Sequence, residues 1–145
     1  MSRIKIDLPE KFFFSATIPV RITDVNYGNH VGNDAVLSII HEARMQYLKS
    51  FGYTELDFEG VGMIMKDVGI EFRTELFYGD IVIASVANAG FTKVSFDLYY
   101  KLEKQVAGQV KTVAIAKSAM VCYDYSLKKI VAVPDGALVK LTRDI

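Results

Sequence analysis

The chain has 145 residues, 51% of them hydrophobic and 23% charged, which suits one ordinary domain with a core and excludes a disordered polyelectrolyte. Lys plus Arg and Asp plus Glu both number 17, so the formal net charge is zero. Without a basic excess, nucleic acid and anionic membranes are poor partners. One cysteine, Cys122, rules out an internal disulfide and any multi-cysteine zinc site.

No stretch near the start has signal-peptide form, and nowhere do about 18 apolar residues run together. A soluble cytoplasmic protein is expected, with a single domain over residues 1–145 and no repeat or linker. Residues 12–22 alternate: Phe12, Phe14, Ala16, Ile18, Val20 and Ile22 share one parity, Ser15, Thr17 and Arg21 the other. Period two predicts a strand with one buried face. Residues 24–34 are rich in Asn, Asp and Gly and predict a loop, with Asn33 and Asp34 as N-caps of a helix. Residues 34–50 contain neither Gly nor Pro, and Val36, Ile40, Ala43 and Tyr47 recur at helical spacing. This predicts a helix with a wide apolar face, enclosed by the rest of the fold and stopped at Gly52.

Beyond Gly60 and Gly62, strands are expected over residues 64–74, 80–89, 93–103 and 109–123, separated by turns such as Tyr78-Gly79-Asp80. Residues 113–121 are apolar on both parities apart from Lys117 and Ser118, as in a central strand covered on both faces. A short strand over 129–133 and a small helix from Pro134 to Leu141 complete the chain. Short turns favour antiparallel pairing. The fold class is therefore α+β, one apolar helix packed on an antiparallel sheet of five or six strands. One helix cannot cover both faces of such a sheet, so part of the second face, or an edge, is expected to meet another subunit.

The segment Arg21-Ile22-Thr23-Asp24-Val25-Asn26-Tyr27-Gly28-Asn29-His30-Val31-Gly32-Asn33-Asp34, then His41-Glu42-Ala43-Arg44, with Tyr78-Gly79-Asp80 ahead of the next strand, resembles the hot-dog thioesterases. Within them it is most similar to the 4-hydroxybenzoyl-CoA thioesterase group, over residues 12–133 in element order. The resemblance implies a hot-dog fold, an antiparallel sheet wrapped around one long helix. It implies a homodimer or homotetramer with active sites at the subunit interface. It implies hydrolysis of an acyl-CoA or acyl-carrier-protein thioester to free acid and thiol. Coenzyme A is then part of the substrate, and neither a separate cofactor nor a metal is called for.

Thioester hydrolysis needs donors for the carbonyl oxygen as it gains charge, a carboxylate that attacks the carbonyl or activates water, and an acyl pocket. Where the family pattern carries an acid, four positions before the His, this sequence has Asn26. An amide orients water or donates, but it is no general base. Asp24 is the candidate carboxylate, on the expectation that an extended chain points positions 24 and 26 the same way; the alternative is an Asx turn or cap. His30 matches the family position and is a candidate to line the site or bond the acyl carbonyl. Glu42 is a candidate second acid, or else an ion-pair partner of Arg21 or Arg44.

Tyr27, Gly32, Asn33 and Asp34 are candidate substrate contacts. The backbone N–H groups of residues 32–35 offer oxyanion donors at the positive end of the helix. His41 and Asp67 read as surface or structural polarity, and Cys122 as a buried thiol. Lys66, Arg73, Lys93 and Lys101 are available for coenzyme phosphates. Asn26 also admits a non-catalytic acyl-thioester binding protein. His30 with Glu42 loosely resembles an acyl-thioester dehydratase or hydratase, although residues 24–34 lack the proline typical of those enzymes.

Overall fold

A computed structural model describes residues 3–143. The elements run β1 (Phe14–Pro19), α1 (Asn33–Ser50), β2 (Gly62–Phe72), β3 (Ile81–Ala89), β4 (Ser95–Val106), β5 (Gln109–Asp124), β6 (Lys129–Ile130) and α2 (Asp135–Thr142), with a 3-10 turn at Ile22–Asp24. The strands form one sheet in the order β1-β3-β4-β5-β2, with β6 on β5, and every pairing is antiparallel. This is the hot-dog arrangement, a single long helix held against one antiparallel sheet.

The burial follows the sequence periods. Along β4, Phe96, Leu98, Tyr100 and Leu102 are buried while the alternate residues are only partly covered, as a pleated strand requires. They face Val36, Ile40, Ala43, Tyr47 and Leu48 of α1, all buried. Enclosing a side chain such as Ile40 or Leu48 contributes about 2 kcal/mol. On β5, Val113, Ala114, Ile115 and Ala116 are buried in succession, so both its faces are covered there. Part of the outer cover comes from the chain itself. Ile4 lies 3.6 Å from where a side chain on Gly69 of β2 would begin, and the Lys101 ammonium sits 4.9 Å from the centre of the Phe12 ring.

Three boundaries differ from the sequence expectation for local reasons. Strand β1 ends at Pro19, which has no N–H to extend the ladder and is tolerated because β1 is an edge. The next residues coil into the 3-10 turn instead of remaining extended. The N-cap of α1 is Gly32, not Asn33 or Asp34, because the Gly32 carbonyl accepts the Val36 N–H at 3.1 Å. Strand β6 covers two residues, fewer than expected.

One charged group lies inside. The Arg44 guanidinium is buried, bonded to Glu55 at 3.1 Å and to the Tyr100 hydroxyl at 3.2 Å. Tyr100 shares a further hydrogen bond with Ser118 at 2.7 Å, and Glu55 also meets His41 at 2.7 Å. The planar fork reaches two partners at once, which an ammonium cannot imitate. Arg44→Lys is expected to cost about 1–2 kcal/mol, roughly one charge-assisted hydrogen bond. Urea unfolding should show a lower midpoint at unchanged slope.

Candidate active site

The loop before α1 is fixed by its own hydrogen bonds. Val25 and Val31 form an isolated antiparallel bridge. Between them the Asn26 N–H donates to the His30 carbonyl and the Asn29 N–H to the Asn26 carbonyl, both at 3.0 Å. Asn29 takes the left-handed conformation, φ 63°, which asparagine tolerates better than most residues. The Asn26 Oδ1 accepts the Gly28 N–H at 2.9 Å, an Asx turn that sets the direction of the amide. The Val31 N–H donates to the Leu76 carbonyl at 2.8 Å. That bond ties the loop to the segment leaving β2.

Between these two segments lies a cleft of about 400 Å³. Asn26, His30, Gly32 and Asn33 line one wall, Arg73 and Glu75 the other, and Val36, Leu76 and Val113 supply apolar surface. No side chain caps α1 at Gly32. Its first backbone N–H groups, at the positive end of the helix dipole, are therefore available to an oxyanion.

Two glycines keep the cleft open. A side-chain carbon on Gly28 would stand 2.9 Å from His30 Nε2 and 3.3 Å from Asn26 Oδ1. One on Gly32 would stand 2.8 Å from Asp34 Oδ1 and 3.6 Å from Asn26 Nδ2. The close atoms are the ends of side chains, so they yield at small cost in stability and at the expense of position. Gly28→Ala and Gly32→Ala should each lower kcat/KM by at least about tenfold, since an ångström of misplacement is enough. Melting curves recorded beside the kinetics should show little change.

The structure gathers some of the expected residues and separates others. Asn26, His30, Gly32 and Asn33 share the cleft. Asp34 lies beside it in the first turn of α1, its carboxylate next to Gly32. Tyr27 is fully exposed and stands outside the cleft.

Asp24 and Glu42 are placed elsewhere. Asp24 does not point with Asn26, because the 3-10 turn replaces the extended chain that would have aligned them. It is 7% exposed and spent on the turn: one oxygen accepts the Arg21 N–H at 2.8 Å and the other the Arg21 guanidinium at 3.3 Å. The capping alternative describes it. Glu42 is exposed and accepts a hydrogen bond from Gln46 at 2.7 Å, so neither Arg21 nor Arg44 is its partner. Asp24 and Glu42 border a different cleft, of about 410 Å³. Ten residues of helix separate Glu42 from Gly32, about 15 Å along the axis.

Glu75 and Arg73 were not among the expected contacts of the loop. Glu75 lies within a few residues of Tyr78-Gly79-Asp80, and a lone acid after a strand carries no sign of what it faces. Its backbone is held by Lys104 at the end of β4. The Lys104 ammonium donates to the Glu75 carbonyl at 2.6 Å and to Asp80 at 2.9 Å, and sits 5.0 Å from the Phe77 ring centre. Of the four cations available for phosphates, Arg73 alone lines the cleft, where it also pairs with Glu71 at 3.2 Å. Asp67 accepts the Ala119 N–H at 3.2 Å, beside a bulge in β2. Cys122 is buried, and burial pushes its thiol up to about 11. Among the described residues no cluster of His, Cys, Asp and Glu is arranged to hold a metal ion, and no helix is long and apolar enough to cross a membrane.

Residues 20–141, most of the chain, match the thioesterase-like superfamily. The chain belongs to that family. Solved structures share the fold of this thioesterase-family protein. An aspartate-to-asparagine mutant of 4-hydroxybenzoyl CoA thioesterase, complexed with 4-hydroxybenzoyl CoA, superimposes with a TM-score of 0.81 at 14% identity, covering 89% of this chain and 98% of that one. The 1,4-dihydroxy-2-naphthoyl-CoA thioesterase from Synechocystis gives 0.78 at 18% identity, covering 88% and 94%. A thioesterase-superfamily protein from Jannaschia gives 0.80 at 18%, covering 94% and 86%. At these identities the likeness is one of fold. A comparison with curated protein sequences finds no match.

Proposed function

We propose that this thioesterase-family protein hydrolyses an acyl thioester of coenzyme A in the cleft at the start of α1. Hydrolase activity accords with the family, and the substrate class with the two CoA thioesterases of like fold. The observation that carries the reading is the meeting of three things in one cleft: a carboxylate on Glu75, the amide of Asn26, and the uncapped N-terminus of α1. An amide at position 26 cannot attack the thioester itself. Water is therefore the nucleophile, held by Asn26 and deprotonated by Glu75. As its oxygen bonds to the carbonyl carbon, the carbonyl oxygen becomes an anion received by the helix N–H groups, with the His30 ring beside it. Collapse of this intermediate breaks the carbon–sulfur bond. The thiolate takes up a proton, leaving free acid and thiol.

Coenzyme A enters only as part of the substrate, with Arg73 at hand for a phosphate. The second edge of the sheet supports a homodimer. Strand β2 is hydrogen-bonded on one side only, to β5, and carries the exposed side chains Ile64, Met65 and Phe72. A long apolar edge of this kind calls for a partner strand. The lone buried thiol suits a reducing, cytoplasmic setting.

The test is thiol release from acyl-CoAs of short, long and aromatic acyl groups, followed with a chromogenic thiol reagent. Cys122 adds little background, because it is buried and held as the unreactive thiol. Catalysed release from at least one substrate is expected. If the folded protein releases none but binds an acyl-CoA by calorimetry, the protein is a binder and Asn26 is the reason.

A further inference from the structure

At the other end of α1 lies a cavity of about 770 Å³. Phe13, Tyr47, Phe51, Val86 and Leu141 wall it, with Asn88 among them. Strand pairing accounts for it. The ladder between β1 and β3 starts with Phe14 opposite Val86, whereas residues 87–89 of β3 are paired with β4 and lie past the end of β1. The space beside them is filled by neither strand.

Asn88 gives this cavity a chemical preference. Its Nδ2 donates to the Leu141 carbonyl at 2.7 Å and to the Tyr47 hydroxyl at 2.5 Å. A carbonyl oxygen only accepts, so Leu141 fixes which end of the amide is nitrogen. The other end, Oδ1, is then the one buried side-chain nitrogen or oxygen among the described residues without a hydrogen-bond partner. Buried acceptors are rarely left unmet, because desolvation is not repaid.

We propose that this cavity binds a neutral apolar molecule bearing a hydroxyl group, which donates its O–H to Asn88 Oδ1 while its ring or chain packs among the aromatic walls. A carboxylate would set acceptor against acceptor, and an ammonium would lose its hydration among apolar side chains. The volume far exceeds that of a single water, which occupies about 30 Å³, and falls within the range of small-molecule sites. Val36 lines the hydrolytic cleft and Phe51 this cavity, about 20 Å apart along α1. The cavity is therefore separate from the proposed hydrolytic site and does not depend on it.

Nitrogen-15 NMR of the full chain reads the site directly, through the Asn88 side-chain amide and the backbone signals of residues 86–89. Three probes of one shape separate the alternatives: 2-naphthol, naphthalene and 2-naphthoate. Saturable shifts of these signals are expected with 2-naphthol, at a Kd at least tenfold below that for naphthalene, and none with 2-naphthoate. Asn88→Leu should erase the preference for the hydroxyl and leave thioester hydrolysis unchanged. Equal affinity for 2-naphthol and naphthalene in the wild type would overturn the proposal. So would shifts confined to residues 26–33, or no shifts at all, in which case Oδ1 is met by buried water alone. The wild-type comparison decides even if the variant does not fold.

Discussion

Glu75→Gln lowers kcat for thioester hydrolysis by about 100- to 10,000-fold, the range associated with a positioned general base, and leaves KM and the melting temperature close to wild type. The side chain keeps its length and its place on the wall facing Asn26 and His30; only the ability to take a proton is lost. Because Glu75 is exposed, the change leaves no buried charge unmatched and the fold is spared. Parallel variants sharpen the result. Glu42→Gln should retain activity, since Glu42 borders the other cleft and bonds Gln46. Asp24→Asn should cost about 1 kcal/mol of stability through the weakened cap while kcat stays within a few-fold. A steady-state comparison of the three variants decides the question. Full activity in Glu75→Gln together with loss in Asp24→Asn would move the carboxylate to Asp24 and refute the proposed arrangement.

Lys104→Met has the largest expected effect on stability, about 3 kcal/mol, because removing one member of a buried ion pair leaves the other uncompensated. The Lys104 side chain is 7% exposed and that of Asp80 is 28% exposed, which places the cost at the lower end for such pairs. Activity should fall as well, by roughly tenfold through misplacement of Glu75, whose carbonyl Lys104 holds. The pH dependence has a definite sign. Burial pushes the Asp80 carboxyl up. The Lys104 hydrogen bond, the Phe77 N–H and the Lys104 charge together outweigh burial and leave it below its ordinary value of 3.8. A carboxyl depressed in the folded state contributes stability that is present above its unfolded value and lost as pH falls through the folded one. The gap between wild type and Lys104→Met should therefore be constant from neutral pH down to about 5, and narrow below 4. Urea unfolding at pH 7, 5 and 3 measures it. An unchanged gap at pH 3 would show that Asp80 is not the partner that matters.

Much of the fold is legible because its signals are local. The alternation of Phe96, Leu98, Tyr100 and Leu102 needs no knowledge of what the strand faces, and the steps from Val36 to Tyr47 define a helix face by themselves. His30, Asn26 and Gly32 were legible for a similar reason: they stand close together in one loop whose turn hydrogen bonds join near neighbours. Where a local conformation depends on competition, the reading failed. Asp24 either continues an extended chain or caps a turn, and its bonds to Arg21 favour the turn. That choice rotates its carboxylate away from Asn26.

The sequence by itself determined the α+β class, the enclosed helix, the strand series and the loop that leads to the thioesterase family. Each of these is written in the spacing or order of residues near one another in the chain. Only the tertiary structure decided which carboxylate shares the cleft with Asn26, and that Asn88 turns an unmatched oxygen into a cavity. Those facts rest on bonds between distant segments, Val31 to Leu76, Lys104 to Glu75 and Asn88 to Leu141. Such bonds form only once packing has brought the segments together, and no periodicity encodes them.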